Sequence, residues 1–209
     1  MHQPIRSAVF MTLLSITSTA LAAETGFYVG AGVGQTDANL TGEIHKPLVD
    51  EGFSVLSLSL NDTDTGWKLF SGYVLNPYLA AELSYVDLGQ TGAEIIIGGR
   101  APGRINTTMD MSGVNLGLKL NYPFDEDFLA FAKLGAFIWN AEATARADLS
   151  TGSGSSNQKD NGVDFSYGLG ISYAFTDHVS LRGDWDYYRL GGNADADVNL
   201  WSVSVQYLF

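Results

Sequence analysis

The chain has 209 residues, 24 glycines, no cysteine and a formal net charge of −12. That acidity disfavours nucleic-acid binding, which needs Lys and Arg against phosphates, and the absence of cysteine excludes disulfides and thiol-linked lipid anchors. With 16% charged residues beside eleven Phe, ten Tyr and four Trp, the chain is poorer in charge than an ordinary soluble domain, where about a quarter of residues are charged.

Residues 1–22 read as a cleaved signal peptide. Arg6 gives a short positive region, Ala8 to Ile16 an apolar region too short to span a bilayer, and Ala20-Leu21-Ala22 a small-x-small site, with cleavage expected after Ala22 or Ala23. Residues 23–209 are then one domain, targeted for export. No later run of 18 apolar residues exists, so no transmembrane helix is expected.

What recurs instead is period two, in eight segments of about ten residues separated by turn signals. The first, Gly26 to Gln35, sets Phe27, Val29, Ala31 and Val33 against Tyr28, Gly30, Gly32 and Gly34. The second, Thr65 to Leu75, carries Trp67, Leu69, Ser71 and Tyr73 on its apolar side, and Asn76-Pro77 turns the chain. The third, Tyr78 to Leu88, carries Leu79, Ala81, Leu83 and Tyr85. The fourth ends with Val114, Leu116, Leu118, Leu120 and Tyr122 against Asn115, Gly117, Lys119 and Asn121, and Pro123 to Asp127 form a turn. The fifth, Phe128 to Glu142, is apolar on both faces and takes no phase from its sequence; a bulge would explain it. The sixth sets Phe165, Tyr167, Leu169, Ile171 and Tyr173 against Ser166, Gly168, Gly170 and Ser172. Past the turn at Phe175 to Asp177, the seventh sets Val179, Leu181, Trp185 and Tyr187 against Ser180, Arg182, Asp184, Asp186 and Tyr188. The eighth puts Trp201, Val203, Val205, Tyr207 and Phe209 on one face and the mostly polar Leu200, Ser202, Ser204, Gln206 and Leu208 on the other.

Three connections are short. Four are mostly long and polar: Thr36 to Asp64, Gly89 to Asn106, Ala143 to Gly162 and Leu190 to Asp197. The third contains Thr151 to Gly162, TGSGSSNQKDNG, which reads as flexible from its composition; Ser54 to Leu60 and Ala93 to Ile97 are candidates to continue as strands. Alternating short turns and long loops is the pattern of outer-membrane barrels. A ten-residue strand tilted by about 40° covers roughly 25 Å, the height of the apolar band, and a closed ring leaves no unpaired backbone in lipid. The expected fold is all-β, an eight-stranded antiparallel up-and-down transmembrane β-barrel, with glycine, serine and charge inside. A soluble sandwich or lipocalin-like barrel would turn the apolar face inward; export, aromatic content and loop lengths favour lipid.

The stretch Gly72 to Gly89, GYVLNPYLAAELSYVDLG, resembles the second hairpin of the outer membrane protein A transmembrane domain, and Gly113 to Trp139 is similar to its fourth and fifth strands. The terminal Tyr207-Leu208-Phe209 matches the aromatic end of that family's barrels. The resemblance implies that Trp201, Val203, Val205, Tyr207 and Phe209 form a signal read by the outer-membrane assembly machinery, and that periplasmic chaperones escort the chain. It implies a monomer in the outer membrane of a Gram-negative bacterium, in contact with its lipid and lipopolysaccharide. The sequence ends with the eighth strand, so the peptidoglycan-binding domain of longer members, and cell-wall anchoring with it, is not expected.

The inward candidates are Glu82, Lys119, Arg182 and Asp184, with Lys68 and Asp186 beside them. By the resemblance they form a salt-bridge network closing the lumen. An eight-stranded interior is just wide enough for side chains to fill, and charges buried there must pair. Such a network is an interior plug or, in the second reading, a gate in a narrow ion path.

The run Gly30 to Gly34 lacks the spacing of a phosphate loop. Asn61 to Asp64 offers carboxylates to a hard cation but lacks the last ligand of a calcium loop, so no metal or other cofactor is expected. Neither His45 nor His178 is placed with a serine and an acid, so the chain is not expected to be an enzyme. The expected function is a structural outer-membrane protein with surface-exposed loops, contributing to envelope integrity and surface interaction. The alternatives are a narrow porin and an adhesin.

Overall fold

The computed structural model describes residues 25–40, 54–99, 102–192 and 196–209; the signal sequence and His45 lie outside them. The described residues form nine strands: β1 (Phe27–Leu40), β2 (Ser54–Asn61), β3 (Thr63–Asn76), β4 (Leu79–Gly98), β5 (Gly103–Pro123), β6 (Phe128–Leu149), β7 (Gly152–Ala174), β8 (Val179–Leu190) and β9 (Ala196–Leu208). Eight close a ring. Each of β3 to β8 pairs antiparallel with the next, and β1 pairs with both β3 and β9. β2 stands above β3 and pairs with β4.

The side chains at one barrel end explain its tight turns. Asn76 Oδ1 accepts the N–H of Tyr78 at 2.9 Å, and Thr176 Oγ1 accepts the N–H of Val179 at 3.0 Å. At that end the outward aromatics make a lower band, with Phe27 and Tyr73 edge to face at 5.0 Å and Phe128 tilted against Tyr173 at 4.7 Å. At the other end Trp67 meets Tyr85 at 5.5 Å, Tyr167 stacks on Tyr187 at 4.6 Å and Trp185 lies 6.0 Å from Trp201. Between the bands the wall is aliphatic, with Leu116, Leu118, Leu134, Leu169, Ile171 and Val203 all exposed.

Two expectations are corrected. Ser54 to Leu60 and Ala93 to Ile97 continue as strand, as expected, but strand runs further through the connections Gly89 to Asn106 and Ala143 to Gly162: β4 and β5 pair up to Ile97↔Gly103, and β6 and β7 up to Leu149↔Gly152. The glycine- and serine-rich Thr151 to Gly162 is therefore no flexible loop but most of the upper half of β7, in unbroken register with β6. The partner supplies the reason, because a ladder leaving a barrel wall is already aligned, and Ala141, Ala143, Ala145 and Ala147 alternate with Glu142, Thr144, Arg146 and Asp148 at strand period. Gly152, at φ +147°, takes the turn. β2, β4, β5, β6 and β7 thus rise past the ring as a sheet, while β1, β8 and β9 end lower.

The second correction concerns the interior. The upper lumen is not small and polar. Val86, Leu88, Met111, Phe137, Trp139, Tyr188, Leu190, Val198 and Leu200 form a buried apolar cluster there. This settles the phase of β6: Phe131, Lys133, Phe137 and Trp139 point in, Leu134 and Ile138 out, and its register with β5 and β7 shows no bulge.

Candidate functional site in the lumen

Below the apolar cluster the inward face carries the charges. Lys68 comes from β3, Glu82 from β4, Lys119 from β5, Lys133 from β6, and Arg182, Asp184 and Asp186 from β8. Each occupies the inward alternation of its own strand, so the pleat sends every one into the same space.

Arg182, wholly buried, is the hub. Its guanidinium donates to Glu82 Oε2 at 2.9 Å, Asp184 Oδ1 at 3.0 Å and Gln206 Oε1 at 3.1 Å. It lies 4.3 Å from the Phe70 ring centre and 4.7 Å from that of Phe131, where the face of an aromatic ring attracts a cation. Glu82 also accepts the Tyr28 hydroxyl at 2.9 Å. Lys68 Nζ bridges Asp184 at 3.2 Å and Asp186 at 2.8 Å, and Lys133 Nζ reaches Asp184 at 2.9 Å and Asp186 closely.

Of the expected set, Glu82, Arg182 and Asp184 meet, with Lys68 and Asp186 adjoining. Lys119 does not join by ion pairing. No ion pair among the described residues includes it, and its ammonium sits 4.5 Å from the Tyr28 ring centre and 5.3 Å from that of Phe131. Lys133, which the sequence reading did not include, joins Lys68 as a cation on the two aspartates. The unphased strand concealed it; the signal was its position two residues from Phe131 and opposite Lys119 in the ladder.

Among the charges, the lumen is packed by pairing rings with glycines. Tyr28 lies across from Gly72, Phe70 across from Gly30 and Phe131 across from Gly170. A Cβ on Gly30 would stand 2.3 Å from Phe70 Cζ. The glycine run of β1 thus makes room for rings.

At the upper mouth, Asp164 accepts the Trp139 indole N–H at 2.8 Å and the Gly191 N–H at 2.9 Å. The Gly191 N–H first, and then the indole, hold its carboxyl below the usual carboxylate range. The carboxylate of Asp64, considered for a cation, accepts the N–H groups of Gln90 at 2.7 Å and Thr65 at 2.8 Å. His178 is engaged with the Leu208 carbonyl at 3.0 Å. The terminal Trp201, Val203, Val205, Tyr207 and Phe209 are all exposed on the outer wall.

A closed antiparallel ring with an apolar outer wall, two aromatic bands and its charges inside defines an outer-membrane β-barrel protein. The chain belongs to the OmpA-like transmembrane domain family, whose pattern matches residues 22–208. Outer membrane protein A of Salmonella typhi is 28% identical over 97% of this chain and 54% of its own length. That of Yersinia pseudotuberculosis is likewise 28% identical, with the same 97% and 54% covered. The chain thus spans about half the length of the curated relatives it matches. Among solved structures, the outer membrane protein OprG from Pseudomonas aeruginosa shares the fold at a TM-score of 0.50 and 16% identity, covering 88% of this chain and 96% of that one. This is a protein of the Gram-negative outer membrane.

Proposed function

We propose that this protein is a structural, non-conducting, non-enzymatic barrel that presents a tall external sheet for surface interaction. The observation that carries the reading is how the lumen is filled. Trp139, Phe137, Leu88 and Leu200 close it above, and below them the arginine-centred ion cluster is packed between the rings of Tyr28, Phe70 and Phe131. A conducting path would have to displace apolar rings as well as ion pairs, which argues for a plug over a gate. The exposed alternation from Trp201 to Phe209 supports its role as the assembly signal, and the lipid-facing wall supports a monomer in lipid and lipopolysaccharide.

Planar-bilayer recording tests this. The refolded protein should give no steady conductance, whereas Trp139→Ala and Phe137→Ala combined with Arg182→Ala, which removes rings and hub together, should give discrete openings. Steady openings of the unaltered protein would overturn the closed-lumen reading in favour of the narrow porin.

A further inference from the structure

β7 has a neighbour on only one side for half its length. It pairs with β6 from Gly152 to Tyr173, but with β8 only from Ser166 to Ala174. Among the described residues no strand pairs with its other edge from Gly152 to Phe165. The alternation of an antiparallel ladder says which groups face that edge. The Asn161 N–H is bonded to the Asp160 carboxylate at 2.9 Å instead of to β6, so Asn161 points to the free side. Ser153, Ser155, Asn157 and Lys159 share its parity and direct their N–H and C=O groups the same way.

Exposed edges invite pairing, and proteins blunt them with prolines, bulges, unpaired charges or brevity. This one has no proline, no break in register and small exposed side chains. Its one lysine, Lys159, is drawn to Glu142 of the neighbouring strand at 2.8 Å. The accessible repeat of donors and acceptors at strand spacing fits an added strand.

We propose that the β7 edge over Ser153 to Lys159 is a strand-addition site for an extended, basic, proline-free segment of another polypeptide. Two observations choose this occupant. Two copies upright in one membrane are related by an axis along the membrane normal, which would set their β7 strands parallel, the less stable ladder. And carboxylates outnumber cations on this part of β6 and β7, where Glu142, Asp148, Asp160 and Asp164 stand with Arg146 and Lys159, in a chain of net charge −12. With polar side chains on both faces, the edge selects strand-forming backbone and positive charge more than sequence. The inference deepens the surface-interaction reading proposed above, but its test does not depend on whether the lumen conducts.

The test uses the refolded full chain in micelles and a short fluorescein-labelled peptide of alternating threonine and lysine. A second peptide carries the same side chains with alternate backbone amides N-methylated. Asn157→Pro removes an edge-facing N–H without breaking a β6 bond; Asn157→Ala is its control. The first peptide should bind, slow hydrogen exchange at Ser153, Ser155, Asn157 and Lys159, and lose about tenfold or more in affinity on N-methylation or on Asn157→Pro, with little change for Asn157→Ala. Equal binding of the methylated peptide would reduce the interaction to charge attraction and overturn the proposal. Absence of binding by the unmethylated peptide would do the same. The methylation arm needs only the unaltered chain, so poor folding of Asn157→Pro leaves the test decisive.

Discussion

Replacing Arg182 by alanine is the sharpest probe of the ion cluster, because the structure says which charge is stranded. Arg182 is the only ion-pair partner of Glu82 among the described residues, at 2.9 Å, whereas Asp184 keeps Lys68 at 3.2 Å and Lys133 at 2.9 Å. Arg182→Ala therefore leaves Glu82 buried with no ion pair and with the Tyr28 hydroxyl as its remaining hydrogen-bond partner among the described residues, while the aspartates remain neutralised. Removing one partner of a buried pair costs about 3–5 kcal/mol, most of it the penalty of the charge left behind. At a urea slope of ~2 kcal/mol/M the unfolding midpoint in micelles should fall by roughly 1.5–2.5 M. The double variant Arg182→Ala with Glu82→Gln removes the stranded charge and should recover a large part of that loss, a non-additivity that a double-mutant cycle measures. Retention of the folded band in cold SDS gives a second readout. A single-variant loss below about 1 kcal/mol, or a double variant no more stable than the single, would refute the account of Arg182 as hub.

Three further outcomes follow from the geometry. Gly30→Ala should destabilise the barrel by about 1–3 kcal/mol by forcing the Phe70 ring aside, whereas Gly154→Ala, where an added Cβ meets nothing within 4 Å, should be near neutral; equal urea midpoints would sink the ring-over-glycine argument. The lowered carboxyl of Asp164 contributes stability that is fully present above the ordinary carboxylate value of about 3.9 and is lost as pH falls through its folded value. The Trp139 indole proton resonance should therefore hold from neutrality down to about pH 4 and shift only below it, with Asp164→Asn abolishing that step; a midpoint above 4 would contradict the assigned hydrogen bonds. Phe209→Ala, at an exposed wall position, should leave refolding within about 0.5 kcal/mol yet reduce outer-membrane assembly in cells, and unchanged assembly would remove Phe209 from the proposed signal.

The strand order, the tight turns and the lipid-facing wall were legible in the sequence, since alternation over Val114 to Tyr122 or Trp201 to Phe209 has one stable reading in a closed ring. The continuation of Ser54 to Leu60 and Ala93 to Ile97 as strand was also legible, but the upper halves of β6 and β7 were not, because alanine alternating with Glu, Thr, Arg and Asp is a weak apolar signal, and Gly/Ser composition suggests freedom that a pre-aligned partner removes. Glu82, Arg182 and Asp184 were legible as inward charges that meet. The separation of Lys119 from them, and the part played by Lys133, depend on how far side chains reach across the lumen, which periodicity does not encode. Nor did it reveal that Gly30 and Gly72 lie beneath Phe70 and Tyr28, a relation that exists only between strands.

The uneven height of the strands has a consequence for how the molecule meets its surroundings. From Ile138 to Leu149, at about 3.3 Å per residue and a tilt near 40°, β6 climbs roughly 25–30 Å beyond the aromatic band. Among the described residues, a screen of that height stands on one flank. On the opposite flank the described strands end lower, β8 at Leu190. Seen from outside, the protein is a sheltering wall with a front and a back, and a visitor's angle of approach decides which of the two it touches.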